Sequence, residues 1–143
     1  MKSFVGFVVL MAIAFGAHAQ KQGIKGKVFW LAGDQMPGPE RAKAPQQGII
    51  REILIYEAVT LQQTTQQNGF FSDIKTRLVA KTKSSQDGSF RVKLPPGQYS
   101  VFTQEPKGLF ANLFDGQGRI NTVTVKPKEF AWITITVDYA AAY

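Results

Sequence analysis

The sequence predicts an all-β protein, seven short strands packed as a Greek-key β-sandwich. Three observations carry this prediction. Apolar residues recur with period two along most of the chain, no long stretch shows a helical period of 3.6, and clusters of Gly, Pro, Asn and Asp cut the chain into pieces of strand length. Short strands at such spacing are the sequence signature of a sandwich.

Residues 1–19 stand apart from that pattern. Lys2 is followed by an apolar run from Phe4 to Phe15 and then by Ala17-His18-Ala19 before Gln20. A basic start, an apolar core too short to span a bilayer and small residues spaced A-x-A are the marks of a secretory signal peptide. The expected mature protein is therefore a single domain over residues 20–143, secreted or periplasmic, with no transmembrane segment of its own.

The chain has no cysteine, and its one histidine, His18, lies in the leader. Disulfides, thiol chemistry, Ser-His and Cys-His dyads and most zinc, copper and iron sites are thereby excluded from the mature chain. The expectation is a protein that is not an enzyme and carries no cofactor. Its formal charge of +7 falls to +6 when Lys2 leaves with the leader. A basic excess outside the cytoplasm either keeps a small secreted protein soluble or favours acidic glycans, lipid headgroups or acidic proteins, and not nucleic acid. The expected function is a non-catalytic interaction module that binds an envelope or extracellular protein or a surface partner, or alternatively a glycan as a carbohydrate-binding module using aromatic loop residues.

The strands are read, in order, at Ile24 to Leu31, Ile50 to Ala58, Leu78 to Lys83, Ser89 to Leu94, Gln98 to Gln104, Ile120 to Val125 and Ala131 to Tyr139. Two connections are long. Gly33 to Gly48 is rich in Pro, Gly and Gln, and Leu61 to Lys75 opens with a Gln-Thr run. The second also holds Phe70-Phe71, an apolar pair that either packs down or meets a partner. Between the third and fourth strands, a three-residue loop Gln86-Asp87-Gly88 with Gly88 left-handed gives a hairpin that segregates its faces. It pairs Ala80 with Leu94, Thr82 with Val92, Lys81 with Lys93 and Lys83 with Arg91. Leu78, Ala80, Phe90, Val92 and Leu94 then point inward. In Leu94-Pro95-Pro96-Gly97, Pro96 and Gly97 fit the central positions of a type II turn, with positive φ at the glycine. Tyr99, Val101 and Thr103 should face the core, and the Tyr99 hydroxyl should find a backbone partner. The last strand alternates cleanly, with Ile133, Ile135, Val137 and Tyr139 on the core side. Trp132, Thr134, Thr136 and Asp138 form a Thr-rich solvated side.

Three segments carry a resemblance. Gly23-Ile24-Lys25-Gly26-Lys27-Val28 opens the domain, Ser85-Gln86-Asp87-Gly88-Ser89-Phe90 forms a turn, and Leu94-Pro95-Pro96-Gly97-Gln98-Tyr99-Ser100-Val101 forms a second. Together they resemble the carboxypeptidase regulatory-like domain, over Gly23 to about Thr103 and more loosely over the last two strands. The resemblance implies a transthyretin-like (prealbumin-like) seven-strand sandwich, an accessory module of secreted and surface proteins common in Bacteroidota. The chain departs from that pattern in its Gly33 to Gly48 insertion and in having no catalytic domain beside it.

Two candidate binding surfaces follow. In the hairpin register above, Lys81, Lys83, Arg91 and Lys93 share one outward face. Facing cations call for relief, from an anionic partner or from carboxylates such as Glu52 or Glu57; the alternative is a solvated face that protects a sheet edge. In the apolar segment from Glu105 to Asn121, Phe110 and Phe114 form a stacking platform for a sugar, with Asn112 and Asp115 as polar contacts. Exposed Trp132 is a further aromatic contact, and the competing reading folds the loop over the end of the sandwich. Asp115-Gly116-Gln117-Gly118 offers one carboxylate, too few for calcium, so no metal is expected. Related sandwiches of surface adhesins carry isopeptide crosslinks, which here would join Lys25 or Lys27 to Asp138 with help from Glu52 or Glu57; the placement of Asp138 on the Thr side opposes this. The transthyretin-like fold also hosts a hydrolase with histidine-dependent chemistry, for which residues 20–143 have no histidine.

Overall fold

The computed structural model describes residues 21–34 and 46–142. The leader and most of the Gly33 to Gly48 insertion lie outside the described residues. The remainder is a β-sandwich of eleven strands: β1 (Gly23–Asp34), β2 (Gln47–Gly48), β3 (Glu52–Glu57), β4 (Thr65–Gln67), β5 (Phe70–Ser72), β6 (Leu78–Lys83), β7 (Ser89–Lys93), β8 (Gly97–Glu105), β9 (Gly108–Phe110), β10 (Thr122–Val125) and β11 (Phe130–Ala142). All seven expected strands are present. The four extra strands, β2, β4, β5 and β9, are two or three residues long and lie in segments read as loops.

The smaller sheet is built on β1. β11 runs parallel along one side of it, and β7 and β2 run antiparallel along the other. The larger sheet has the order β4-β5-β9-β8-β3-β6, with β10 also paired to β8. Side chains that alternate inward from both sheets, among them Ile24, Val28, Phe90, Ile135 and Val137 from the smaller and Ile53, Ile55, Tyr99, Val101 and Val123 from the larger, fill one core. Burying each such side chain contributes about 1.5–3 kcal/mol.

A second core lies on the outer side of the larger sheet, where Leu54, Phe71, Phe102 and Leu109 are covered by Val59, Ala111 and Ile120. The strands of this sheet are therefore buried on both faces at their centre. Phe70 and Phe71 divide between the two cores, 9% and 1% exposed, as adjacent strand residues must. The pair packs down, and the apolar segment after Glu105 covers the back of the larger sheet, not the end of the sandwich.

The pairing of β1 with β11 depends on Gly26. A Cβ built there would lie 1.8 Å from the carbonyl oxygen of Ile133, its partner in the ladder, so no side chain fits. Gly88 has the expected left-handed conformation, with φ at +88°.

Around Gly88, however, the expected hairpin does not form. β6 pairs with β3 in the larger sheet, whereas β7 pairs with β1 in the smaller one, so the Ser84 to Gly88 link arches from one sheet to the other. Buried Ser84 anchors the arch: its Oγ accepts the Arg51 N–H and donates to the Ile49 carbonyl, both at 2.7 Å. Asp87 closes the turn by accepting the Ser89 N–H at 3.0 Å and the Ser85 hydroxyl at 2.5 Å. These bonds to Asp87, that from Ser85 foremost, hold its carboxyl well below the usual carboxylate range.

Two smaller expectations are also corrected. The β3–β6 register shifts after Ile55, so that Ala80 faces Ile55, Leu78 faces Tyr56, and Leu78 is exposed, not inward. Gly97 is not among the positive-φ residues and begins β8, which rules out the type II turn at Pro96-Gly97. Tyr99, Val101 and Thr103 do face the core, and the Tyr99 hydroxyl donates to the Pro95 carbonyl at 2.5 Å.

Candidate functional site

The four expected cations do not share a face. Lys81 and Lys83 are outward on β6 at the edge of the larger sheet, where Lys81 lies opposite Leu54 and 3.6 Å from a Glu52 carboxylate oxygen. Arg91 and Lys93 are outward on β7 of the smaller sheet. The two pairs thus point away from opposite sides of the sandwich, because their strands belong to different sheets.

The expected sugar platform is not assembled either. Phe110 is 5% exposed and packs in the main core against Phe70 and Tyr139, whereas Phe114 is 48% exposed and leans on Phe71 of the second core. Asp115 accepts the Gln117 and Arg119 N–H groups at 2.8 and 2.9 Å and pairs with the Arg119 guanidinium at 2.6 Å. Those bonds, led by the Arg119 N–H, lower its pKa. Asn112 donates to the Thr136 carbonyl at 3.1 Å and to the Asp138 carboxylate at 2.9 Å. Both polar residues therefore hold the loop in place. Lys25 and Lys27 pair across from Trp132 and Thr134, well up the strand from Asp138, so the crosslink geometry is absent.

What the fold does bring together is a row across the outer face of the smaller sheet. Lys25 on β1 lies directly opposite Arg91 on β7 and Trp132 on β11, and all three side chains are exposed. At the strand spacing of about 4.8 Å the row is about 10 Å wide. One row toward the start of β1, Gly23 lies between Lys93 and Phe130; one row the other way, Lys27 lies between Ser89 and Thr134. Gly23 has no side chain, and the Phe130 ring fills the gap, with its edge 3.0 Å from where a Cβ would sit. Above that ring the Arg91 guanidinium stacks at 4.1 Å and the Lys25 ammonium lies 6.0 Å from the centroid. Such contacts hold two long cationic side chains upright on the sheet. Trp132 is 60% exposed, the most open large apolar residue among the described residues. The acid of this face, Asp138, sits toward the far end of β11.

Sequence reading found Arg91, Lys93 and Trp132 separately but missed Lys25, Lys27 and Phe130 as their neighbours. The available signal was the alternation of Lys25 and Lys27 against Ile24 and Val28. Nothing local shows that β11 lies parallel beside them.

A second polar cluster lies at the other end of the sandwich. The Glu105 carboxylate, with its side chain closed to solvent, meets Arg51 Nε at 3.1 Å through both oxygens and accepts the Tyr139 hydroxyl at 2.9 Å. The Arg51 guanidinium also stacks over Trp30 at 5.5 Å, and the Trp30 and Tyr139 rings meet edge-on at 5.4 Å. Burial, with the Glu105 charge beside it, raises the pKa of the Tyr139 phenol. Each charge and hydroxyl in this cluster has a partner within it, which suits a brace between the sheets. Among the described residues no group of three or more His, Cys, Asp and Glu is placed to hold a metal ion, and no helix is long and apolar enough to cross a membrane. The chain matches no protein-family model, no curated protein and no solved structure.

Proposed function

We propose that this protein is a secreted or periplasmic, non-catalytic binding module that holds an anionic polysaccharide on the outer face of its smaller sheet. The observation that carries this reading is the Arg91–Lys25–Trp132 row, an exposed indole beside two cations that are propped on Phe130. The C–H face of a sugar ring stacks on an indole, and the carboxylate of a uronate pairs with a guanidinium or ammonium. Lys27 and Lys93 extend the cationic field along the strands, toward a chain longer than one sugar. The leader-like residues 1–19 support secretion, and the turn segments that resemble those of carboxypeptidase regulatory-like domains support an accessory, non-catalytic role.

The test is affinity electrophoresis of the purified protein in polygalacturonate and in a neutral polysaccharide, repeated with vesicles of anionic lipid. The expected result is retardation by polygalacturonate alone. It should weaken about tenfold in Trp132→Ala and in Arg91→Ala, and fall with added salt. Equal retardation by the neutral polymer, or binding indifferent to both substitutions, refutes the proposal. Capture by vesicles and not by polygalacturonate assigns the face to a membrane surface instead.

A further inference from the structure

We infer that the outer edge of β11 is a self-association edge, on which a second copy of this chain adds its own β11 antiparallel. The inference is independent of what the sheet face binds.

Among the described residues β11 is the longest strand, thirteen residues, and its one strand neighbour is β1. Exposed edges are normally protected by lysines, prolines, bulges or shortness. Between Phe130 and Ala142 there is no proline and no basic residue, and the one charge is Asp138. Asn112 donates to the Thr136 carbonyl from outside the sheet, so that carbonyl points away from β1. Backbone groups alternate sides along a strand, and the N–H and C=O groups of Trp132 and Thr134 therefore point the same way.

Beside this edge, on β11 itself, Trp132 leaves its indole 60% exposed, the most open large apolar side chain among the described residues; an exposed aromatic next to an unprotected edge suits an interaction surface.

The strand complements itself. Antiparallel pairing about Ile135 sets Thr134 against Thr136 of the second copy as a hydrogen-bonded pair, in which the incoming Thr134 N–H takes the place of the Asn112 amide on the Thr136 carbonyl. The same register sets Trp132 against Asp138 of the second copy. The carboxylate then extends the Arg91–Lys25–Trp132 row, and each copy offers its acidic end to the other's basic end. An unrelated strand would not be required to carry an acid at that position. The two smaller sheets would join into one, with their cationic faces side by side.

Sedimentation equilibrium of the purified chain, with no polysaccharide present, tests this. A concentration-dependent dimer is expected. Thr134→Pro removes an N–H from the free edge and no bond to β1, and should weaken the dimer at least tenfold. Thr134→Lys, which leaves the backbone intact, should also weaken it and serves if the proline variant fails to fold by circular dichroism. Asn112→Ala releases the Thr136 carbonyl to the incoming strand and should tighten the dimer several-fold. A monomer at every concentration up to about 1 mM overturns the inference. So does a dimer that neither Thr134 substitution weakens, or one that Asn112→Ala weakens.

Discussion

Replacing Glu105 by Gln keeps the shape and the acceptor for Tyr139 but removes the charge that Arg51 faces. Taking one partner from a fully buried ion pair costs about 3–5 kcal/mol. Arg51 is not fully buried: its side chain is 29% exposed, and it keeps a 3.0 Å bond to the Ile50 carbonyl and its stack on Trp30. The guanidinium left behind can rehydrate, so the loss should fall to that of a charged hydrogen bond, about 2 kcal/mol. For a domain of about 100 residues that lowers Tm by roughly 8–16 °C. Urea unfolding of wild type, Glu105→Gln, Arg51→Met and the double variant measures the loss and its coupling. Arg51→Met should cost much less in the Glu105→Gln background than alone, and added salt should change little, because the Glu105 side chain is closed to solvent. A loss in Glu105→Gln under about 0.5 kcal/mol, or two single losses that simply add, would refute the claim that these residues act as a brace.

Two further outcomes follow from the same geometry. Phe110→Ala should destabilise the domain by about 3–5 kcal/mol and Phe114→Ala by a small fraction of that, both read by urea unfolding; equal losses would return Phe110 to the surface. Asp115 has a pKa lowered in the folded state, so the stability it contributes is present above the unfolded value of about 3.9 and lost as pH falls through the lower folded value. Asp115→Asn should accordingly flatten the fall of the urea midpoint on the acid side of pH 4. An unchanged slope there would show that its turn contributes nothing to acid stability.

β3 and β8, also read from the sequence, are buried on both faces at their centres, whereas alternation is plainest in strands with one polar face. β11 shows it best, with Ile135 and Val137 buried and Trp132 and Thr134 exposed. β4 shows the opposite case: Thr65, Gln66 and Gln67 are all exposed, so no alternation exists to be seen. Its hairpin with β5 still left a signal, Asn68-Gly69, two residues of positive φ that join paired strands. The Gln-Thr run before it concealed that signal. The arch between β6 and β7 could not be read locally. Its direction is set by the bonds of Ser84 to residues 49 and 51 and by the seating of Gly88 under the Val28 carbonyl, where a Cβ would come within 2.2 Å. A rule that pairs neighbours by segregating their faces found a plausible ladder, but the chain used both strands elsewhere. The Arg91–Lys25–Trp132 row was lost with that ladder, since Arg91 meets Lys25 and Trp132 only once β7, β1 and β11 are side by side.

The ladder from Gly23↔Phe130 to Asp34↔Ala142 joins the opening strand to the closing one. During synthesis β1 emerges long before the segment that completes its sheet exists, and contacts between such distant segments form slowly. The domain therefore cannot shut early. The smaller sheet stays open along that side of β1 until β11, the last strand of the ladder, has been made.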